Sequence, residues 1–268
     1  FDRFSGDDAR DGVAALLRKR IHHPGHGLAI GANIGLAAQS TAQGANALAL
    51  LNDSLGAQVI TAVDSVTEID ALANTVTGIL TTAAGIAANP ALTAAALTSL
   101  GLTGVTDGTN GNLNAINSSI DYLGESDTNT SAKVQNVVNA YKAILEKADG
   151  KDNINEANFS STLPTAEQYA AIGVKGLNVI NGLTENQVKA RAALLGSAID
   201  LKSMGGVDTL GEIQKLAETV DKVMKLAAIN LPGTQTITQL ELETLGLKYL
   251  TVDNLDDFFA QVEKTDNA

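Results

Sequence analysis

The sequence contains no cysteine. That removes disulfides, thiolate metal sites and a cysteine nucleophile at once. A chain without thiols also has none to misoxidise outside the cell. Tryptophan is missing as well, and aromatic residues make up only 3% against 44% hydrophobic residues. A core must therefore be built from Ala, Leu, Val and Ile, which suits closely packed helices better than sheets with broad aromatic faces. Long apolar runs are also lacking. The most apolar stretch, Leu28 to Ala38, is about half of the ~20 residues that a helix needs to cross a bilayer, so membrane insertion is not expected. Positive charge is scarce over a long window. Five bases (Arg3, Arg10, Arg18, Lys19 and Arg20) crowd the first twenty residues, and from Ile21 to Ala132 there is no Lys or Arg, against eight acids. The formal charge of −12 and pI of about 4.6 repel nucleic acid and anionic lipid, and neither is expected as a partner. Weakly charged faces suit a secreted protein with few trypsin sites, or surfaces that bury against neighbouring subunits.

What is present is a repeat. Thr93-x-x-x-Leu97-x-x-Leu100-Gly101-Leu102 recurs as Thr165-x-x-x-Tyr169-x-x-Ile172-Gly173-Val174 and as Thr238-x-x-x-Leu242-x-x-Leu245-Gly246-Leu247. The three glycines lie 72 and 73 residues apart. A second block, Leu48-x-x-Leu51-Asn52-x-x-Leu55, has the shape of Leu113-x-x-Ile116-Asn117-x-x-Ile120, and Asn112-Leu113 is echoed by Asn254-Leu255. A third block runs from Val63-Asp64-Ser65-x-x-Glu68-Ile69-x-x-Leu72 and aligns with Val207-Asp208-Thr209-x-x-Glu212-Ile213-x-x-Leu216. Between these two lies Val134-x-x-Val137-x-x-x-Tyr141-x-x-Ile144-Leu145.

Each block has helical chemistry. The apolar positions of the third block follow 3 and 4 spacing, the stripe of an amphipathic helix. In the last copy Ile213, Leu216, Val220 and Val223 should be buried, with Lys215, Glu218 and Lys222 facing solvent. Ser65-x-x-Glu68, Thr209-x-x-Glu212, Thr165-x-x-Gln168 and Thr238-x-x-Glu241 read as capping boxes. Gly101, Gly173 and Gly246 stand where a short helix should stop. The expected fold is all-α, with tandem three-helix units of about 70 residues behind an N-terminal helical segment. The boundaries are a head at 1–44, a partial unit at 45–90, full units at 91–162 and 163–233, and a truncated unit at 234–268. The start at Phe1 and the stop within a repeat lead us to expect a processed product or a piece of a longer chain.

The order of short helix, Leu-Gly-Leu or Ile-Gly-Val turn, Asn-Leu-x-x-Ile-Asn helix and long helix resembles the albumin-binding GA-type module of bacterial surface proteins. The phrase Pro164-Thr165-Ala166-Glu167-Gln168-Tyr169-Ala170-Ala171-Ile172-Gly173-Val174, followed by Val207-Asp208-Thr209, is similar to tandem repeats in very large bacterial adhesins and biofilm proteins. The resemblance covers about residues 45–268 and rests on caps and core positions, so no albumin-contact residue carries over from it. It implies an extracellular or cell-surface location and a structural or adhesive role.

Motifs with chemistry are few. His22, His23 and His26 sit around Pro24 and Gly25, in a loop without the i, i+4 spacing of a helical metal site. They read as a surface loop, or else as an adventitious metal site. Gly25-His26-Gly27 imitates a dinucleotide loop but lacks a preceding buried strand. Asp107-Gly108-Thr109-Asn110-Gly111-Asn112 and Asp149-Gly150-Lys151-Asp152-Asn153-Ile154-Asn155-Glu156 resemble calcium loops, yet Gly111 and Lys151 stand where ligands should; they read as Asx turns. Tyr122, Tyr141, Tyr169 and Tyr249 fall on or near apolar stripes and read as core residues with their hydroxyls at the rim. Gly27, Gly31 and Gly35 recur every four residues. They make a candidate self-association stripe, or equally a face for internal helix packing. The sequence thus points to a non-enzymatic extracellular protein without cofactors: an adhesin segment, or a surface-layer or filament subunit. Its partners would be neighbouring repeats or other copies of itself. The alternative is a three-helix binding module that captures a host or matrix protein.

Overall fold

The computed structural model describes residues 41–86, 88, 91–153, 162–177, 183–229 and 237–247. Among them are nine α-helices and no strand. The helices are α1 (Thr41–Ala57), α2 (Val66–Ala83), α3 (Ala94–Ser99), α4 (Leu113–Tyr122) and α5 (Ser131–Lys147), then α6 (Ala166–Ala171), α7 (Glu185–Asp200), α8 (Leu210–Ile229) and α9 (Gln239–Thr244). The fold is all-α, as composition and periodicity indicate.

The chain divides into two compact units, Phe1–Val138 and Asn139–Ala268, and the division falls inside α5. In the first unit α2 packs against α1, α3 and α4. Its core is aliphatic: Leu50, Leu51, Ile69, Leu72, Val76, Ile79, Leu97, Ile116 and Ile120 are all buried. In the second unit α7 packs against α6 and α8, and α8 packs against α9. There Ile144, Tyr169, Ile172, Leu195, Ile199, Ile213 and Val220 are fully buried.

The predicted caps form. Ser65, Thr165 and Thr238 each take the N3 amide, while Glu68, Gln168 and Glu241 reach back to the cap amide. Thr209 and Glu212 exchange the same two bonds. A further box, Thr184 with Gln187, opens α7. The three short helices end alike. Gly101, Gly173 and Gly246 have φ of 88°, 96° and 90°, the left-handed region that a Cβ disfavours. Behind two of them the chain closes a Schellman turn, with Val174 N–H donating to Tyr169 O and Leu247 N–H to Leu242 O.

A 3₁₀ turn precedes three of the helices: Ile60–Ala62 before α2, Glu125–Asp127 before α5 and Met204–Gly206 before α8. Last core residue, first turn residue and helix cap keep one register: Leu55, Ile60, Ser65; Ile120, Glu125, Thr130; Ile199, Met204, Thr209. The residue after each turn has nearly one conformation, with φ, ψ of −145°, 29° at Val63, −124°, 7° at Thr128 and −146°, 21° at Val207. A tight i to i+3 turn reverses the chain in few residues.

Candidate functional site

The long-range polar contacts of this chain lie where helices meet. Gln135, on α5, clamps the loop after α3: its Oε1 accepts from Thr103 N–H at 2.9 Å and its Nε2 donates to Thr103 O at 3.0 Å. Gln214, on α8, makes the matching bond after α6, where its Oε1 accepts from Lys175 N–H at 2.9 Å. Both glutamines stand five residues after the threonine that precedes their helix, and both partners stand ten after the cap of theirs. The second turn docks on α1. Ser131 N–H donates to Asp53 Oδ2 at 2.7 Å, Asn46 Nδ2 donates to Glu125 Oε2 at 3.2 Å, and Asn129 Nδ2 donates to Asn46 Oδ1 at 2.8 Å.

A buried ion pair ties the end of α5 to the end of α7. Lys147 Nζ lies 3.1 Å from Asp200 Oδ1, with side chains 8% and 2% exposed. Asp200 also accepts from Asn153, through its N–H at 3.0 Å and its Nδ2 at 3.3 Å. Lys147 Nζ further donates to Thr162 Oγ1 at 3.4 Å. Burial without partners would cost several kcal/mol per ion, and this set of bonds offsets that penalty. Two more pairs join helices in this unit: Arg191 with Asp221, at 3.2 Å between α7 and α8, and Lys222 with Glu241, between α8 and α9.

In both loops that resemble calcium sites, described side-chain oxygens are taken up by internal hydrogen bonds; residues 154–156 of the second lie outside the described residues. Asn112 Oδ1 accepts from Thr106 N–H at 2.8 Å, and Asp107 Oδ1 accepts from Gly108 N–H at 2.7 Å. Asp149 accepts from Lys151 N–H at 2.9 Å and from Asn153 Nδ2 at 3.1 Å. These bonds, with the nearby Lys151 charge, hold the Asp149 carboxyl below its usual range. Among the described residues no group of three or more His, Asp or Glu is placed to hold a metal ion. His22, His23 and His26, the Gly27/Gly31/Gly35 stripe and Tyr249 lie outside the described residues. No protein-family model matches the chain. No curated protein or solved structure matches it either.

Five side chains depart from the sequence reading; Val223 is only partly buried and Tyr141 is fully buried, not at the rim. Tyr122 is 56% exposed; it is the last residue of α4 and leaves the stripe where the helix stops. The Tyr169 hydroxyl is buried without a partner instead of reaching the rim, and burial pushes its pKa up. Lys222 is half-buried because α9 brings Glu241 to it. The two clamping glutamines were missed in the sequence, although their shared five-residue offset from a threonine was there to be read.

Proposed function

We propose that this chain is a segment of a bacterial cell-surface protein, built as a tandem array of three-helix units of about 70 residues and serving a structural or adhesive role without catalysis. The observation that carries this reading is the recurrence of one junction. Three turns keep a single register and nearly one conformation, and two glutamines accept from a loop N–H at equivalent positions. Copies of one unit explain that recurrence, since each copy repeats the contacts that hold it.

Packing also crosses the proposed unit boundaries in equivalent ways. The long helix α2 packs on the following short helix α3, and α8 packs on the following α9. Leu226, Ile237 and Leu242 form a buried cluster at the second of these, with Val223 against it. Units that share cores with their neighbours extend as arrays. Several described polar side chains tie helices or loops together, which suits a scaffold. A cell-surface place accords with the absence of cysteine and with a base-free window that gives trypsin nothing to cut. The resemblance to adhesin and biofilm repeats points the same way. The partners would be neighbouring repeats or further copies.

The test is proteolytic shaving of intact source cells, followed by detection with an antiserum against this chain. Release by a protease of broad specificity from unbroken cells is the expected result. Signal that appears only after lysis would overturn the surface assignment.

A further inference from the structure

The loop between α3 and α4 holds an asparagine unlike the others. Most described asparagines sit inside helices, where the next amide is fixed in the helical ladder. Four lie outside them. Asn112 donates to Gly104 O at 2.8 Å and accepts from Thr106 N–H at 2.8 Å. Asn129 donates to Asn46 Oδ1 at 2.8 Å, and Asn153 donates to Asp149 and Asp200. The fourth, Asn110, is exposed in a turn and is followed by glycine. A second Asn-Gly pair, Asn181-Gly182, lies outside the described residues.

The loop is closed in a way that only glycine allows after Asn110. A Cβ at Gly111 would lie 2.5 Å from Thr106 O and 2.6 Å from the carbonyl carbon of Asp107, so any side chain would force the loop open. The missing side chain also leaves the Gly111 nitrogen unshielded towards its neighbour. Its N–H donates to Gly108 O at 2.9 Å, and that turn bond is what an attack by this nitrogen must break. Nucleophile and carbonyl stand one residue apart, so the reaction is intramolecular.

We propose that Asn110 is a site of spontaneous backbone modification, and that the isoaspartate formed there releases the start of α4. The Gly111 nitrogen attacks Cγ of Asn110. The N–Cγ bond forms, the Cγ–Nδ2 bond breaks, and Nδ2 leaves as ammonia with the proton of the Gly111 N–H. Water then opens the five-membered imide. Opening at one carbonyl gives aspartate. Opening at the other gives isoaspartate, which routes the main chain through the side chain and lengthens it by one carbon. Main-chain atoms of Thr106 and Asp107 already crowd Gly111, so the loop has no slack for that carbon. Asn112, two residues on and 5% exposed, is displaced. With it go the bonds that seat α4: Asn112 N–H to Thr106 Oγ1 at 3.2 Å and Leu113 N–H to Thr106 O at 3.1 Å.

The test is incubation of the full chain in warm, mildly alkaline buffer. Peptide mapping reads the exchange of NH for O at each asparagine, and enzymatic methyl labelling reads isoaspartate. Asn110 should convert about tenfold faster than any other described asparagine, and the melting temperature should fall in step with isoaspartate. Asn110→Gln, whose imide would be six-membered, should keep its melting temperature through the same incubation. Fresh Asn110→Asp should melt as fresh wild type does, because it carries the new charge without the extra carbon. Conversion at Asn110 no faster than elsewhere would overturn the site. Equal melting losses in aged wild type and aged Asn110→Gln, or a loss already present in fresh Asn110→Asp, would overturn the release of α4.

Discussion

At the scale of single residues, the Lys147–Asp200 pair is the position where charge decides most. Removing one partner leaves the other buried, a situation that costs about 3–5 kcal/mol. Lys147→Met should therefore destabilise the chain by that amount in urea unfolding. The double variant Lys147→Met/Asp200→Leu should recover most of it, because an apolar pair of similar volume needs no solvation. The seam positions that match Lys147 in the other long helices are Thr82 and Leu226, both 8% exposed. The ion pair thus belongs to one junction and is not repeated at the matching positions. Glycines offer a second contrast. Gly101 has φ +88°, so Gly101→Ala should cost about 1–2 kcal/mol. Gly56 is helical with open space around its would-be Cβ, and Gly56→Ala should stabilise by about 0.5–1 kcal/mol. Equal melting shifts in the two variants would contradict the assigned conformations.

At the scale of the helix, periodicity and caps were legible in the sequence because both are local. A hydroxyl three residues before a carboxylate or amide is enough to place a helix start, and 3 and 4 spacing is enough to phase the stripe. Ile213, Leu216 and Val220 are buried and Lys215 and Glu218 are exposed, as that phase requires, while Val223 is only partly buried. Leu216→Ala should cost roughly 2–5 kcal/mol and Lys215→Ala less than about 0.5 kcal/mol; comparable losses would show a misphased helix. The pairings of Lys222 with Glu241 and of Lys147 with Asp200 were not legible, because they depend on which helix ends meet. The caps also set the acid response. Hydrogen bonds from Ser65 hold Glu68 low, those from its own backbone and Thr165 hold Glu167 low, and Lys222 followed by Thr238 holds Glu241 low. The unfolded carboxylates then take up protons first, near their usual values of about 4. Their stabilisation is complete above that range and is lost as pH falls through the lower folded values. The urea midpoint should fall between about pH 5 and pH 3, and less steeply in Glu241→Gln. An unchanged midpoint would show that the caps do not form in solution.

At the scale of the whole molecule, the account is one of register. The second-helix, turn and long-helix succession recurs with offsets of 65 and 79 residues at its caps, Ser65, Thr130 and Thr209. The sequence displayed that recurrence through its apolar blocks and glycines, but the turns themselves were invisible, since Ile60, Glu125 and Met204 share no side-chain chemistry. A backbone conformation common to three unlike sequences is held by what flanks it, the core residue five before and the cap five after. If the copies are equivalent, one can be removed whole. Deleting residues 66–130 joins Ser65 to Ser131, which sets α5 behind the first turn in the place of α2 and keeps Lys147 with Asp200. A deletion of residues 66–110 breaks the register and serves as the control. Circular dichroism with thermal melting compares them. The account predicts that the in-register deletion keeps wild-type helicity per residue and a cooperative melt, while the control loses both. An in-register deletion no better folded than the control would contradict the tandem array.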